Sequence, residues 1–342
     1  MRERRAIRCR ADGPGGPRLG AAATRHRADH GRDRRHRTSS RAISMTHLMS
    51  GVCEADRISI HYLRTGGDKP PLLLLHGLTG NGACWTPLAR SLANEYDVVM
   101  PDARGHGQSS TPLHGYRYED HARDVMALIH GLGLSCPLLL GHSMGGMTAA
   151  VVASQAAGMI RGVILVDPTF LSPQRQREVC DSDVVEQHRR MLGRDRCDVL
   201  ARLTSRHARR SAEVLDLLVS ARLQTRISAF DVLTPPNPEY RPLVRAIAVP
   251  ILIVIGDAGV VSLEMARELQ GLNARIRVEQ IQDAGHGVPY DQPERFEAAI
   301  RPFLRAVAAA RRPTCPGSVR SRSDQALQTI ARSPRPQMPA GL

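Results

Sequence analysis

The run Gly141-His142-Ser143-Met144-Gly145 sets a hydroxyl two residues from a glycine on either side. It follows the apolar Leu138-Leu139-Leu140 and leads into a segment rich in small residues, so the sequence predicts strand, sharp turn, helix. A serine on such a turn sits in strained dihedrals at a helix N-terminus, where the helix dipole favours developing negative charge. Side chains at 141 and 145 would clash across the turn, and Gly146, Ala149 and Ala150 let the helix approach the sheet. A hydroxyl is a weak nucleophile until a base takes its proton. His286, in Asp283-Ala284-Gly285-His286-Gly287, is the candidate base among 14 histidines. It follows the last predicted strand and precedes the last predicted helix. The backbone N–H groups of Leu78, just past His76-Gly77, and of Met144 are candidates for an oxyanion hole. Together these groups point to acyl transfer.

A base of this kind needs a carboxylate to hold its tautomer. Two strand ends offer one: Asp167 in Val166-Asp167-Pro168, and Asp257 in Gly256-Asp257-Ala258-Gly259. The loop Asp102 to Ser109 is read as structural. Trp85, His142 and Phe170 are candidate substrate contacts, with Phe230 a further pocket wall, although ordinary packing is the plainer reading for the aromatic residues.

The elements that must position these groups alternate. Strands are predicted at Arg57–Arg64, Pro71–His76, Asp97–Met100, Pro137–Gly141, Gly162–Val166, Pro250–Ile255 and Arg275–Ile281. Helices are predicted at Ala83–Asn94, Tyr118–Leu132, Met144–Ala157, Ser262–Leu272 and Pro293–Ala310. This alternation implies a parallel sheet covered on both faces. Residues 169–240 interrupt it with a run of helices: Pro173–Leu192, Arg196–His207, Ala212–Leu223 and a short piece near Phe230. Such an insertion would roof the strand ends, where open α/β sheets bind ligands. It carries 12 Arg and ten acids, and an Arg or two could grip a substrate carboxylate.

Composition narrows the class. The formal charge of +14 lies in the tails: residues 1–44 hold 13 Arg against four acids and residues 311–342 six Arg against one, so residues 45–310 are neutral. A folded nucleic-acid binder would carry its basic patch on the globular part, which argues against that function. The tails show no hydrophobic period and are expected to be disordered. For residues 1–44 an over-extended start, with Met45 or Met49 as the true one, is the favoured reading. No apolar run approaches 18 residues, so no membrane helix is expected. Seven scattered Cys without C-x-x-C indicate neither a disulfide framework nor a zinc site, and free thiols in a cytoplasm are the simpler expectation. No metal or cofactor is implied. The expected partner is a small-molecule substrate, with the chain a monomer or homodimer.

The His76-Gly77 loop, the Asp102–Ser109 loop, the Ser143 elbow and the His286 loop, in this order, make residues 50–310 resemble the α/β-hydrolase fold superfamily. The resemblance implies an eight-stranded-type, mostly parallel sheet, with residues 169–240 as a cap that shapes substrate choice. The family usually takes its acid from the next-to-last strand, often as G-D-x-D. Here Gly259 replaces the second Asp, and some members use the strand that carries Asp167, so the resemblance favours Asp167. The loser is then expected to be a strand-end residue that binds backbone amides. The Val166-Asp167-Pro168 run is similar to that of the N-formylmaleamate deformylase family of amide hydrolases. The implied activity is hydrolysis of a small ester, lactone or amide through an acyl-enzyme. Alternatives are a carbon–carbon-bond hydrolase, a haloperoxidase-like member, or a non-catalytic binding homologue; labelling by an active-serine reagent separates the last from the rest.

Overall fold

The computed structural model describes residues 8–11, 48–55 and 58–310. One mixed sheet runs through it in the order β1-β2-β3-β5-β4-β6-β7-β8-β9. The strands are β1 (Arg8–Ala11), β2 (Met49–Ala55), β3 (Ile58–Arg64), β4 (Pro71–Leu75), β5 (Asp97–Pro101), β6 (Leu138–His142), β7 (Gly162–Val166), β8 (Ile251–Ala258) and β9 (Ile276–Gly285). Pairing is antiparallel from β1 through β3 to β5, and parallel from β5 across β4 to β9.

The central strands are apolar on both sides because both faces are covered. In β4, Leu73 and Leu75 turn towards one layer of helices and Leu72 and Leu74 towards the other. Leu139 and its neighbours Leu138 and Leu140 divide in the same way in β6. The first layer contains α2 (Tyr118–Gly131), α3 (Met144–Gln155), α8 (Tyr240–Ala246) and α9 (Leu263–Leu272). The second contains α1 (Thr86–Leu92) and α11 (Pro293–Ala309). Truncating one of these fully buried leucines to Ala would cost about 2–5 kcal/mol.

The insertion after β7 folds as α4 (Pro173–Cys180), α5 (Val184–Leu192), α6 (Arg196–Arg206), α7 (Ala212–Gln224) and a 3-10 stretch at Ile227–Leu233. The single helix predicted over Pro173–Leu192 is two, because Asp181-Ser182-Asp183 breaks it. Short polar side chains of this kind compete for the backbone and favour helix ends. Val199 and Leu203 of α6 pack with Val214, Leu215, Leu218 and Val219 of α7 in a small core of their own, seated on Cys84 and Tyr290.

Three features depart from the sequence reading. Arg8–Ala11, inside the tail expected to be disordered, pairs with β2, whose outer edge offers free backbone donors and acceptors. The rest of the two tails lies outside the described residues. Second, Cys84, Cys180 and Cys197 are free thiols, but Cys136 is disulfide-bonded. Spacing along the chain does not reveal which thiols a fold brings together. Third, β2, α8 and the short α10 (Val288–Asp291) were not predicted. No helix of the described residues is long and apolar enough to cross a membrane.

Candidate active site

Ser143 stands between β6 and α3 at φ 55°, ψ −117°. This is a strained conformation for a residue with a side chain, of order 1–3 kcal/mol. The chain holds it by packing without tolerance. A Cβ at Gly141 would strike the Gly145 carbonyl, and one at Gly145 the Leu75 carbonyl. The backbone N–H of Ser143 donates to Val166 O at 3.0 Å, tying the turn to the end of β7.

β9 ends at Gly285 and delivers His286 over this turn. His286 Nε2 lies 2.8 Å from Ser143 Oγ, and its Nδ1 lies 2.5 Å from Asp167 Oδ2. The carboxylate requires Nδ1 to carry the proton, which leaves the Nε2 lone pair facing the hydroxyl. Both contacts are within the reach that proton transfer needs. Asp167 is fully buried and also accepts from Val260 N–H at 2.8 Å and Val261 N–H at 2.9 Å.

Asp257 is not in this chain of hydrogen bonds. Its carboxylate accepts the backbone N–H groups of Asp283 at 3.0 Å and Ala284 at 3.1 Å. It therefore pins the end of β9 that carries His286. Gly259, which replaces the second Asp of the family pattern, explains the exchange of acids. A Cβ there would stand 2.6 Å from both Asp167 oxygens. The Asp167 carboxylate fills the space that a side chain from position 259 would enter.

Gly77 packs against the elbow, where a Cβ would come 3.2 Å from Ser143 Cβ. Leu78 follows directly, and neither its N–H nor that of Met144 donates to another group of the described residues. His106 Nε2 donates to the Leu78 carbonyl and fixes this loop from behind. Asp102 accepts from Gly82 N–H (2.7 Å), Gln108 N–H (2.9 Å) and His61 Nδ1 (2.8 Å), and Arg104 forks onto Asp124 with two 2.6 Å bonds. The Asp102–Ser109 loop is thus a scaffold.

The residues expected to touch substrate are placed otherwise. His142 is buried and donates from Nε2 to the carbonyl of His286 at 2.7 Å. Burial, and then the neighbouring His286, lower its pKa to about 3, so it is neutral. It props the histidine loop. Trp85 and Phe170 are each 1% exposed. Trp85 packs in the second helix layer and Phe170 stacks on Tyr240 at 5.3 Å, so both are core residues. Phe230 packs on His188 at 4.7 Å and does line a cavity under the cap.

Sequence reasoning missed the residues that fasten the cap to the histidine loop. Arg210 pairs with Asp291 at 2.8 Å and lies over the Tyr290 ring at 5.6 Å. Asp291 in turn accepts from Gly285 N–H at 3.1 Å. Nothing in the sequence distinguishes Arg210 from the other cap arginines. A small space of about 30 Å³ beside the elbow, lined by His76, Met144 and His121, has room for about one water. Among the described residues no cluster of three His, Cys, Asp or Glu could hold a metal ion.

Comparison with known proteins gives the family. The sequence profile of the alpha/beta hydrolase fold family matches residues 70–293, and the chain belongs to that family. N-formylmaleamate deformylase of Pseudomonas putida is 32% identical over 266 residues, covering 76% of this chain and 97% of the relative. 2-(Acetamidomethylene)succinate hydrolase of Mesorhizobium japonicum is 27% identical over 276 residues, 77% of this chain and 98% of the relative. The crystal structure of an E-2-(acetamidomethylene)succinate hydrolase superposes with a TM-score of 0.67 at 25% identity, over 76% of this chain and 100% of the other. The enol-lactonase of Burkholderia xenovorans shares the fold, with a TM-score of 0.62 at 24% identity over 74% of this chain and 99% of the other. The chain is a hydrolase of the family.

Proposed function

We propose that this hydrolase acts through Ser143, forming an acyl-enzyme from a small ester, lactone or amide. The single observation that carries this reading is the continuous hydrogen-bond chain from Ser143 Oγ through His286 to Asp167. Ser143 Oγ attacks the substrate carbonyl carbon while His286 Nε2 takes the hydroxyl proton. The carbonyl oxygen gains the negative charge and accepts from the N–H groups of Leu78 and Met144. Collapse of the tetrahedral intermediate breaks the bond to the leaving group, which receives the proton from His286. Water then attacks the acyl-serine with His286 again as base, and Ser143 is regenerated. Asp167 keeps the proton on Nδ1 and stabilises the imidazolium.

The test is labelling of the full chain with a fluorophosphonate, read by mass spectrometry. A single adduct on Ser143, absent in Ser143→Ala and in His286→Ala, is expected. Folded protein that takes no label, or turnover retained by Ser143→Ala, would refute the assignment. A screen of short esters, lactones and N-formyl amides then ranks acyl groups. Turnover of a carbon–carbon bond in place of these would move the chain to that branch of the family.

A further inference from the structure

The cap holds a cleft of about 600 Å³ between α5, α6 and α7, open to solvent on one side and with Thr79 in its lining. That volume is within the range of small-molecule sites. Its charge is one-sided. Arg194, Arg202, Arg206 and Arg222 line it, and Asp183, the single carboxylate of the lining, is engaged with Arg190 at 3.3 Å.

Arg222 is the unusual member. Its Nε is fully buried and has no hydrogen-bond partner. No carboxylate pairs with it among the described residues, and Arg210 and Arg206 repel it. Burial is the larger of the influences that lower its pKa, and Arg210 follows. The Asp291 carboxylate is engaged by Arg210 at 2.8 Å. A half-buried guanidinium whose Nε is shut off from water without an anion opposes folding. Such groups are retained where a ligand brings the missing charge.

One wall of the cavity belongs to the loop that packs on the elbow. Thr79 directly follows Leu78, whose N–H is free beside the elbow. Two residues on, Asn81 Nδ2 donates to Gln224 Oε1 at 2.9 Å and ties that loop to the end of α7, which carries Arg222. Trp85 and Tyr290, 6.2 Å apart, continue the contact to His142, whose ring is 5.9 Å from that of Tyr290.

We propose that Arg222 receives an oxyanion group of the substrate, a carboxylate or a phosphate, inside the cap cavity while the scissile carbonyl lies at Ser143. The inference rests on the serine-hydrolase reading above for the position of the carbonyl. The planar fork of guanidinium matches either group with two charge-assisted bonds. Arg206, at the exposed side of the cavity, would draw the anion in. On this reading the enzyme selects acyl or leaving groups that carry a negative charge and disfavours neutral esters of the same size.

The experiment uses the full chain carrying Ser143→Ala, so that nothing is turned over. Succinate and inorganic phosphate are titrated calorimetrically in low-salt buffer, with and without Arg222→Met or Arg222→Lys. Binding of one of the two anions, weakened at least tenfold by Arg222→Met and less by Arg222→Lys, is expected, and the better-bound anion identifies the group. In the parent enzyme, the ratio of kcat/KM for mono-p-nitrophenyl succinate over p-nitrophenyl acetate should fall at least tenfold on Arg222→Met if the group is a carboxylate. Neither anion binding, or binding indifferent to Arg222→Met, overturns the proposal. The melting temperature without ligand is the control for a structural role. Removal of an unpaired buried charge should not lower it, and a clear drop together with unchanged anion binding would also overturn the proposal. Fluorophosphonate labelling separates the two readings. Labelled Ser143 without an anion site sinks the inference alone, whereas an Arg222-dependent anion site in a chain that takes no label sinks the serine reading alone.

Discussion

Asp167→Asn keeps the shape of the side chain and removes its charge. In place, Asp167 Oδ2 accepts both His286 Nδ1 (2.5 Å) and Val260 N–H (2.8 Å), and Oδ1 accepts Val261 N–H (2.9 Å). A carboxamide has a single oxygen. With that oxygen towards Val261, its NH2 group confronts His286 and Val260, both donors. The histidine relieves the conflict by moving its proton to Nε2, and that tautomer cannot take the proton of Ser143. With the oxygen towards His286, the NH2 group meets Val261 N–H in a fully buried place. That costs about 1–3 kcal/mol of stability for the unmade bond. In other sites of this kind the same exchange lowers kcat about 10⁴-fold, which is about 5 kcal/mol of barrier. The assay is p-nitrophenyl acetate hydrolysis by Asp167→Asn beside Asp257→Asn, with circular dichroism to show that both fold. The expected order is a loss of about 10⁴-fold for Asp167→Asn and less than about tenfold for Asp257→Asn. Turnover within tenfold of the parent in Asp167→Asn, or a larger loss in Asp257→Asn, would refute the reasoning. The space shared by positions 167 and 259 adds a gain-of-function arm. Asp167→Gly combined with Gly259→Asp should recover at least about tenfold over Asp167→Gly alone, since the new carboxylate enters from the other strand end.

Other consequences are as open to measurement. His142→Phe keeps the ring but loses the 2.7 Å bond to the His286 carbonyl. A loosened histidine should then reduce kcat by about tenfold or more with KM little changed; an unaltered kcat would show that the loop needs no prop. Stability should decline on acidification. Burial holds the pKa of His76 at about 4 and of His142 at about 3, against 6.5 in the unfolded chain. The unfolded chain therefore takes up these protons first. Their contribution is complete above pH 6.5 and is lost as pH falls towards 4 and then 3. Melting temperatures read from pH 7.5 to pH 4 should fall steadily, and a flat profile would contradict the assignment of buried neutral rings.

The parallel half of the sheet was legible because its strands are unbroken apolar runs. Leu72–Leu75, Leu138–Leu140 and Gly162–Val166 appear within a residue or two of their expected bounds. β2 was not, because Met49–Ala55 mixes Ser, Gly, Cys and Glu and takes its strand form from pairing with β3. The elbow and the histidine loop were visible because their geometry demands glycine and a fixed place in chain order. The choice between Asp167 and Asp257 turns on which carboxylate arrives within hydrogen-bond range of one nitrogen, and spacing does not encode that. Trp85, His142 and Phe170 are large side chains near the site in sequence. Whether such a residue faces a ligand or the core depends on the last few ångströms of packing. Arg222 is one of 12 cap arginines, and its isolation is visible only once the acids around it are located.

The place of Asp167 has a consequence for how the two parts of this molecule can be exchanged. When the acid stands on the next-to-last strand, a cap is a cassette: it can be cut out between two strand ends and replaced without disturbing the reacting groups. On the proposed mechanism the acid is the residue after β7, and Thr169 N–H, two residues on, donates to the Ser143 carbonyl at 3.3 Å. The stem of the cassette is therefore welded to the chemistry. A chimera that takes its cap from a relative must keep residues 166–169 with the sheet and make its join beyond them. The same weld carries any pull of the cap on its stem directly to the carboxylate that orients His286.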